Sequence, residues 1–414
     1  MNDPLLAAAA PWTCPFCALL CDDMTLSPRG ADEVPVEQCP RARAALARLA
    51  GGVAPSASID GAPAAHDAAI RAAAERIGRS HQPLFAGLGT DIAGARALYR
   101  LAARTGAICD HADGAQLVHG LRALQDRGQY TATLAELRSR ADLIVCVGTP
   151  AAARFPRFFR RAGIGQAGSP CRRLVFVGCA APAVDADGVE VDALPGSGDV
   201  FADLQQLAAL VAQQWLREAD PALRSLAGQL HAARYAVLVW EAGTLPRAGA
   251  LVVEALNRIV GTLNRSTRAA TFALGGSDGG HSVTQTLTWL GGLPIRTRIT
   301  PRGLQHEPHR YDTHRLLAQR AVDALLWISS FDPERLPPPA VLPRVVLGPP
   351  AMARHLQAQQ TVFIPVATPG LNADAHLFRT DGPVVLPLPA ARNDGLAGVA
   401  EVLDAITQRL AREP

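Results

Sequence analysis

The sequence predicts an α/β protein of two lobes built on parallel sheets, preceded by a small cysteine module. Three observations carry this prediction. Continuous apolar runs of strand length end at glycine or a turn residue. Segments with apolar residues at helical spacing alternate with those runs. Four of the eight cysteines fall within the first 39 residues.

The elements follow in order. Cys14, Cys17, Cys21 and Cys39 form the module, closed by Cys39-Pro40 and a helical run from Arg41 to Leu49. Gly51 to Pro63, rich in Gly, Ala, Ser and Pro, reads as a linker. Ile70, Ala73, Ala74 and Ile77 recur at helical spacing. Leu84 to Gly89 reads as a strand, and Thr90 and Asp91 can cap a helix that turns Ile92, Ala95, Leu98, Tyr99 and Ala102 inward. Leu143 to Val147 and Leu174 to Val177 are apolar throughout, as strands covered on both faces are. Ser197 and Asp199 can start a helix with Phe201, Leu204, Ala208 and Val211 inward. Ala236 to Trp240, Ala324 to Ile328, Val345 to Leu347 and Val362 to Val366 repeat the strand pattern, and Pro337 to Pro339 form a stiff connector. The expected domains are the cysteine module over 1–50, a first α/β region over 64–225 and a second over 230–414. The boundary lies near 220–235, and the lobes can be discontinuous in sequence.

Composition narrows the function. The chain has 414 residues, 49% of them apolar, and a net charge of +3, so no broad attraction to nucleic acid or membrane is implied. Its basic side chains other than histidine are all arginine, as codon usage in a GC-rich genome produces. Met1 to Ala10 has no basic start and only a short apolar run, and nothing approaches the ~18 apolar residues that span a bilayer. A cytoplasmic protein is expected. Thiols stay reduced there, so clustered cysteines point to a metal or cluster.

The spacing Cys14-x2-Cys17-x3-Cys21, with Cys39 further on, suits a [4Fe-4S] cluster or a zinc ion, because soft thiolates ligate either. A zinc ribbon favours two separated C-x2-C pairs, so the cluster is preferred.

Cys14-Pro15-Phe16-Cys17-Ala18-Leu19-Leu20-Cys21-Asp22-Asp23 resembles the start of the B subunit of formylmethanofuran dehydrogenase. Ala123 to Gly128, Arg140 to Ile144, Leu287-Thr288-Trp289 with Gly292 and Pro294, and Phe378 to Gly382 resemble later segments of that family in the same order. The resemblance implies a formate dehydrogenase-like fold of the molybdopterin oxidoreductases. The bacterial branch from methylotrophs is the nearer likeness. In it, the dehydrogenase has become a formyltransferase/hydrolase complex that moves a formyl group from tetrahydromethanopterin to a furan-based carrier and hydrolyses it to formate. Formyl transfer and metal-dependent hydrolysis then belong to sister subunits.

The family's redox site needs a sulfur or selenium ligand followed by histidine. Counting back from Leu124-Gln125-Asp126 and Gly128, those positions fall at Gln116 and Leu117, which supply neither a soft anion nor a proton carrier. Molybdopterin or tungstopterin is therefore expected to be absent. Cys109, followed by Asp110 and His111, substitutes only if the loop slides, and its context suits a buried strand-end thiol. Asp110, His111, Asp113 and His119 read as a solvated loop, with a metal site as the alternative. Gly148-Thr149-Pro150, Gly196 to Asp199 and Gly275 to Gly280 stand at strand ends, where phosphate loops or plain turns occur. His306-Glu307-Pro308-His309, with Asp312 and His314 nearby, fails the H-E-x-x-H spacing and reads as a surface loop.

Arg154, Arg157, Arg160 and Arg161, with Arg172 and Arg173, form the most basic stretch, read as an amphipathic helix with solvated arginines. In the resembling complex the carrier bears a polyglutamate tail, and these guanidinium groups could hold it by charge-assisted hydrogen bonds. The phenylalanines beside them instead suit an interface with a sister subunit. The expected role is a non-catalytic scaffold. The alternatives are a working pterin dehydrogenase using Cys109, or an iron–sulfur electron-transfer subunit. Trp240, Trp289 and Trp327 are large enough to fill a vacated pterin cavity.

Overall fold

The structure, a computed structural model, describes residues 10–26, 39–50, 56–184 and 187–411. The reading of residues 1–9 as no targeting signal, and the first part of the expected linker (51–55), lie outside them. The N-terminal region forms β1 (Ala10–Trp12), β2 (Met24–Leu26), α1 (Pro40–Leu49), β3 (Ala57–Ile59), β4 (Ala62–Ala64), α2 (His66–Gly78), β5 (Pro83–Gly89), α3 (Ile92–Thr105), β6 (Ile108–Cys109) and α4 (Gly114–Arg127). Next come α5 (Leu134–Arg140), β7 (Leu143–Val147), α6 (Phe158–Arg161), β8 (Arg173–Val177), β9 (Glu190–Leu194), α7 (Val200–Val211), α8 (Pro221–Ala232), β10 (Ala236–Glu241), α9 (Gly249–Leu263) and β11 (Ala269–Leu274). The rest forms α10 (Gly280–Gly291), β12 (Thr297–Thr300), β13 (Gly303–His306), α11 (Thr313–Ala318), β14 (Ala324–Ser329), β15 (Arg344–Gly348), β16 (Thr361–Pro365), β17 (Ala375–Phe378), β18 (Val385–Leu388) and α12 (Val399–Leu410).

Two compact units result, and the expected boundaries need correction. The first unit takes the described residues of Met1–Ala115, Gly276–Arg379 and Pro383–Pro414; the second takes Gln116–Gly275 and Thr380–Gly382. The boundary expected near 220–235 falls inside the second unit, where α8 and β10 share one core through Leu226, Leu230 and Leu238. The cysteine module is part of the first unit rather than a separate domain. The described part of the Gly51–Pro63 linker is not free chain: β3 and β4 form an antiparallel hairpin on the edge of β16.

The first unit holds a nine-stranded sheet in the order β13-β12-β6-β5-β14-β15-β16-β3-β4. Its central strands β6, β5, β14, β15 and β16 are parallel. Numbered by sequence they run 2-1-3-4-5, so the topological switch lies between β5 and β14. The second unit holds five parallel strands, β11-β10-β7-β8-β9, which numbered by sequence and read from β9 to β11 run 3-2-1-4-5, with the switch between β7 and β10. Every residue of β5, β7, β10, β14, β15 and β16 is buried, which is why these strands read as unbroken apolar runs. Asp91 caps α3 through Gly94 N at 2.9 Å, and Asp199 caps α7 through Phe201 N at 2.9 Å, as the sequence suggested. Among the described residues no helix is long and apolar enough to cross a membrane.

Candidate functional site

In doubly wound sheets, ligands sit beyond the carboxyl ends of the strands at the switch point. In the first unit the cysteine module is anchored there. Its chain enters by β1, turns through Cys14–Cys21 and leaves by β2, with Cys14 N donating to Cys21 O at 2.9 Å and Leu20 N to Cys17 O at 3.1 Å. Trp12 Nε1 fixes the entry by donating to Gly370 O at 2.9 Å. Cys39 occupies the N-cap of α1, and Pro40 starts that helix. All four cysteines are buried. Burial pushes the Cys14 thiol well up, and the charges of Cys17, Cys21 and Cys39 push it further. Burial also raises Cys17, against which Arg41 works as a nearby cation.

Helix α1 ties the module to the sheet. Arg41 Nε donates to Phe16 O at 2.7 Å and its guanidinium lies 3.9 Å from Asp278; Arg48 Nε lies 3.3 Å from Asp332, just beyond β14. Asp278 also meets Arg335 at 3.1 Å, and Arg335 meets Asp113 at 3.0 Å. Gly279, at φ +77°, runs so close to the Thr90 backbone beyond β5 that a side chain there would collide with it. Protein groups therefore occupy the carboxyl ends of β5 and β14. Four buried thiols are the donor type that a multi-thiolate group takes. Among the described residues, no three His, Cys, Asp or Glu side chains are arranged around a single metal ion.

The segment after β6 departs from expectation. Asp110 and His111 are not on a solvated loop; both are 1% exposed. Asp110 accepts from Arg296 Nε at 3.2 Å and from Thr313 N and Oγ1 at 2.9 Å each. Arg296, itself buried, also bonds Asp312 at 2.5 Å and donates to Pro308 O at 2.6 Å. The His306–His314 stretch is thus partly structural: Asp312 caps α11, and His306 Nδ1 lies 3.0 Å from Thr297 Oγ1. Burial, opposed chiefly by Arg296, holds the Asp110 carboxyl above its ordinary value. His111 Nδ1 accepts from Asp113 N at 2.9 Å, and Nε2 faces Asp278 O at 3.4 Å, which assigns the proton to Nε2. Burial lowers its basicity. Cys109 is fully buried on β6 between Phe85 and Thr297, and burial followed by the Asp110 charge keeps its thiol protonated.

Gln116 and Leu117 lie half-buried in the first turn of α4. Farther along that helix, Gly120 packs against the Trp240 ring. Trp240 and Trp327 are core residues, whereas Trp289 fills nothing: it is 68% exposed, edge-on to Phe378 at 4.8 Å.

At the switch of the second unit, Thr149 Oγ1 donates to Glu241 at 2.7 Å, and Arg154 Nε meets the same buried carboxylate at 3.0 Å. The Arg154 guanidinium fills the space beside Gly243, where a side chain would collide with it. The arginine run is therefore not a solvated amphipathic helix. Its helix α6 has a single turn, Arg157 is 5% exposed, Arg154 is paired with Glu241 while still exposed, Arg160 is exposed and Arg161 is half-buried. The Gly196 turn folds back on Asp203, which accepts from Ser197 N at 3.1 Å. Sequence reading missed Glu241, Arg296, Asp278 and Arg335. A buried carboxylate at a strand end, as at Glu241, was the available signal; the others depend on partners distant in sequence.

Fold and site together define a doubly wound α/β protein of two units, with a buried four-cysteine module anchored at the switch point of one. The chain is 31% identical over 293 residues to the B subunit of the formyltransferase/hydrolase complex Fhc of Methylorubrum extorquens, covering 68% of this chain and 76% of that protein. The B subunit of tungsten-containing formylmethanofuran dehydrogenase 2 of Methanocaldococcus jannaschii is 23% identical over 431 residues, covering 96% and 97%. The crystal structure of the formyltransferase/hydrolase complex (FhcABCD) from Methylorubrum extorquens in complex with methylofuran contains a chain that superposes with a TM-score of 0.74 at 28% identity, over 86% of this chain and 99% of that one. No family model matches the chain. The chain belongs to the family of B subunits of the formyltransferase/hydrolase complex.

Proposed function

We propose that this chain is a structural subunit of a formyltransferase/hydrolase complex that converts formyl-tetrahydromethanopterin to formate by way of a furan-based carrier, and that it performs no redox step. Its partners are the formyltransferase, hydrolase and structural sister subunits, in the cytoplasm. The observation that carries this reading is local. Where the dehydrogenase resemblance requires a sulfur donor followed by histidine, the chain has Gln116 and Leu117 on α4. The nearest replacements are engaged otherwise: Cys109 is a buried, protonated thiol, and both His111 nitrogens face backbone groups. The likeness to a solved complex that holds methylofuran supports the assembly. Within the arginine run, Arg154 and Arg160, which are exposed, and the half-buried Arg161 are the candidates for holding the carrier's acidic tail, or for meeting a sister subunit.

A second reading concerns the thiols. Cys14, Cys17, Cys21 and Cys39 would hold a [4Fe-4S] cluster, with zinc as the alternative; a bound cluster supplies one-electron storage. Arg41 beside Cys17 would offset the thiolate charge. The test is elemental analysis of the purified complex together with formate-linked dye reduction. Iron or zinc without molybdenum or tungsten, and no dye reduction, is the expected result. Stoichiometric molybdenum or tungsten with dye reduction overturns the structural role, and protein free of both iron and zinc overturns the cluster.

A further inference from the structure

Arginines drawn into the first unit are generally matched by carboxylates. Arg296 faces Asp110 and Asp312, and Arg335 faces Asp113 and Asp278. Arg344 differs. It opens β15 and is 5% exposed, yet among the described residues no carboxylate reaches it. One terminal nitrogen donates to Gln357 Oε1 at 3.2 Å and Gln359 O at 3.3 Å, while Nε is shielded from solvent with no acceptor. The nearby acid, Asp60, is committed elsewhere: both its oxygens bond Arg76 at 3.0 Å, and it accepts from Thr361 N at 3.1 Å. Arg76 in turn donates to Arg344 O at 3.2 Å. Asp60 thus neutralises Arg76 alone, and the Arg344 charge is left over. Burial alone depresses the Arg344 guanidinium below its ordinary value, with no anion acting against it. A shielded charge without a partner is unfavourable, and an anion would relieve it.

Arg344 lines a cavity of about 710 Å³ together with Asp60, Val341, Gln357, Gln359 and Gln360. This is the size range of small-molecule sites. The glutamine carboxamides offer further donors, and Val341, at 98% exposed, gives an apolar lip. We propose that this cavity binds a small organic acid through one carboxylate held by Arg344. Its charge balance selects a single negative charge, because Asp60 in the lining disfavours a second. The site is independent of the role assigned above.

The test uses the full chain, titrated calorimetrically at neutral pH with acetate, butyrate and inorganic phosphate at constant ionic strength. Acetate and butyrate are expected to saturate and to raise the melting temperature, with phosphate at least tenfold weaker. Arg344→Gln is expected to weaken carboxylate binding tenfold or more. Should that variant fail to fold, Gln357→Glu decides: its own carboxylate reaches Arg344, so it is expected to melt higher than wild type and to lose carboxylate binding. No saturable binding to wild type, tighter binding of phosphate, or undiminished binding to Gln357→Glu overturns the proposal.

Discussion

Arg296→Ala tests the buried network that replaced the expected solvated loop. The residue is 4% exposed and donates to Asp110, Asp312 and Pro308 O. Its φ of +61° is borne equally by alanine, so backbone strain cancels between the two. Removing the guanidinium leaves Asp110 with Thr313 as donor and no counter-charge, and strips Pro308 O of its donor. Breaking a buried pair from one side costs about 3–5 kcal/mol, because a charge is left uncompensated. For a chain this long, that is a fall in melting temperature of roughly 3–6 °C. Asp110 carries a raised folded-state value through burial, and Arg296 is the chief group lowering it. Folded Asp110 therefore binds its proton more tightly than unfolded Asp110, and stability falls as pH rises from about 4 through the folded value. Without Arg296 that window moves upward, so the deficit of the variant is expected to be small in acid and largest at neutral pH. Urea denaturation at several pH values measures it. Asp110→Asn with Arg296→Met removes both charges and is expected to be milder than Arg296→Ala alone. A loss under ~1 kcal/mol at neutral pH, or a double variant no milder than the single one, refutes the reasoning.

Three further outcomes follow from the same geometry. Gly279→Ala puts a Cβ into the Thr90 backbone at a φ of +77°, and should lower stability by more than ~3 kcal/mol in urea denaturation, since backbone cannot yield. His111 is neutral in the folded state: burial lowers it, Asp113 and Asp278 raise it, and Arg335 lowers it. Its folded value lies below the unfolded ~6.5, so stability is full above that pH and declines as pH falls beneath it; His111→Gln should flatten this decline by up to ~1.4 kcal/mol per pH unit. On the cluster reading proposed above, Cys39→Ser should lower the iron or zinc content of the purified complex while the far-ultraviolet circular dichroism stays unchanged, and unchanged metal content counts against that reading.

What could be read from the chain follows from where its information is local. Strands β5, β7, β10, β14, β15 and β16 announce themselves because both faces are covered, and Asp91 and Asp199 because a cap needs only its own first turn. The division into units is not local. The chain leaves the first unit after Ala115 and returns at Gly276, and composition does not change at either point. Strand order is likewise invisible in sequence, so neither switch point could be placed, and with them went the chemistry of Asp278, Arg335 and Glu241. Arg296 finds Asp110 across 186 positions. No spacing rule reaches so far, and a polar loop with an acid and a histidine reads as solvated until its partner is seen. The arginine run misled for a related reason: Phe155, Phe158 and Phe159 pull that segment into the core, carrying Arg157 with them. The cysteine module was visible in the sequence as a cluster of thiols, but not its place in the fold. The spacing gives no sign that α1, through Arg41 to Asp278 and Arg48 to Asp332, ties them to the switch point of the first unit. That anchoring gives the module a packing role whether or not a metal group is bound, because the carboxyl ends of β5 and β14 carry charges that α1 neutralises.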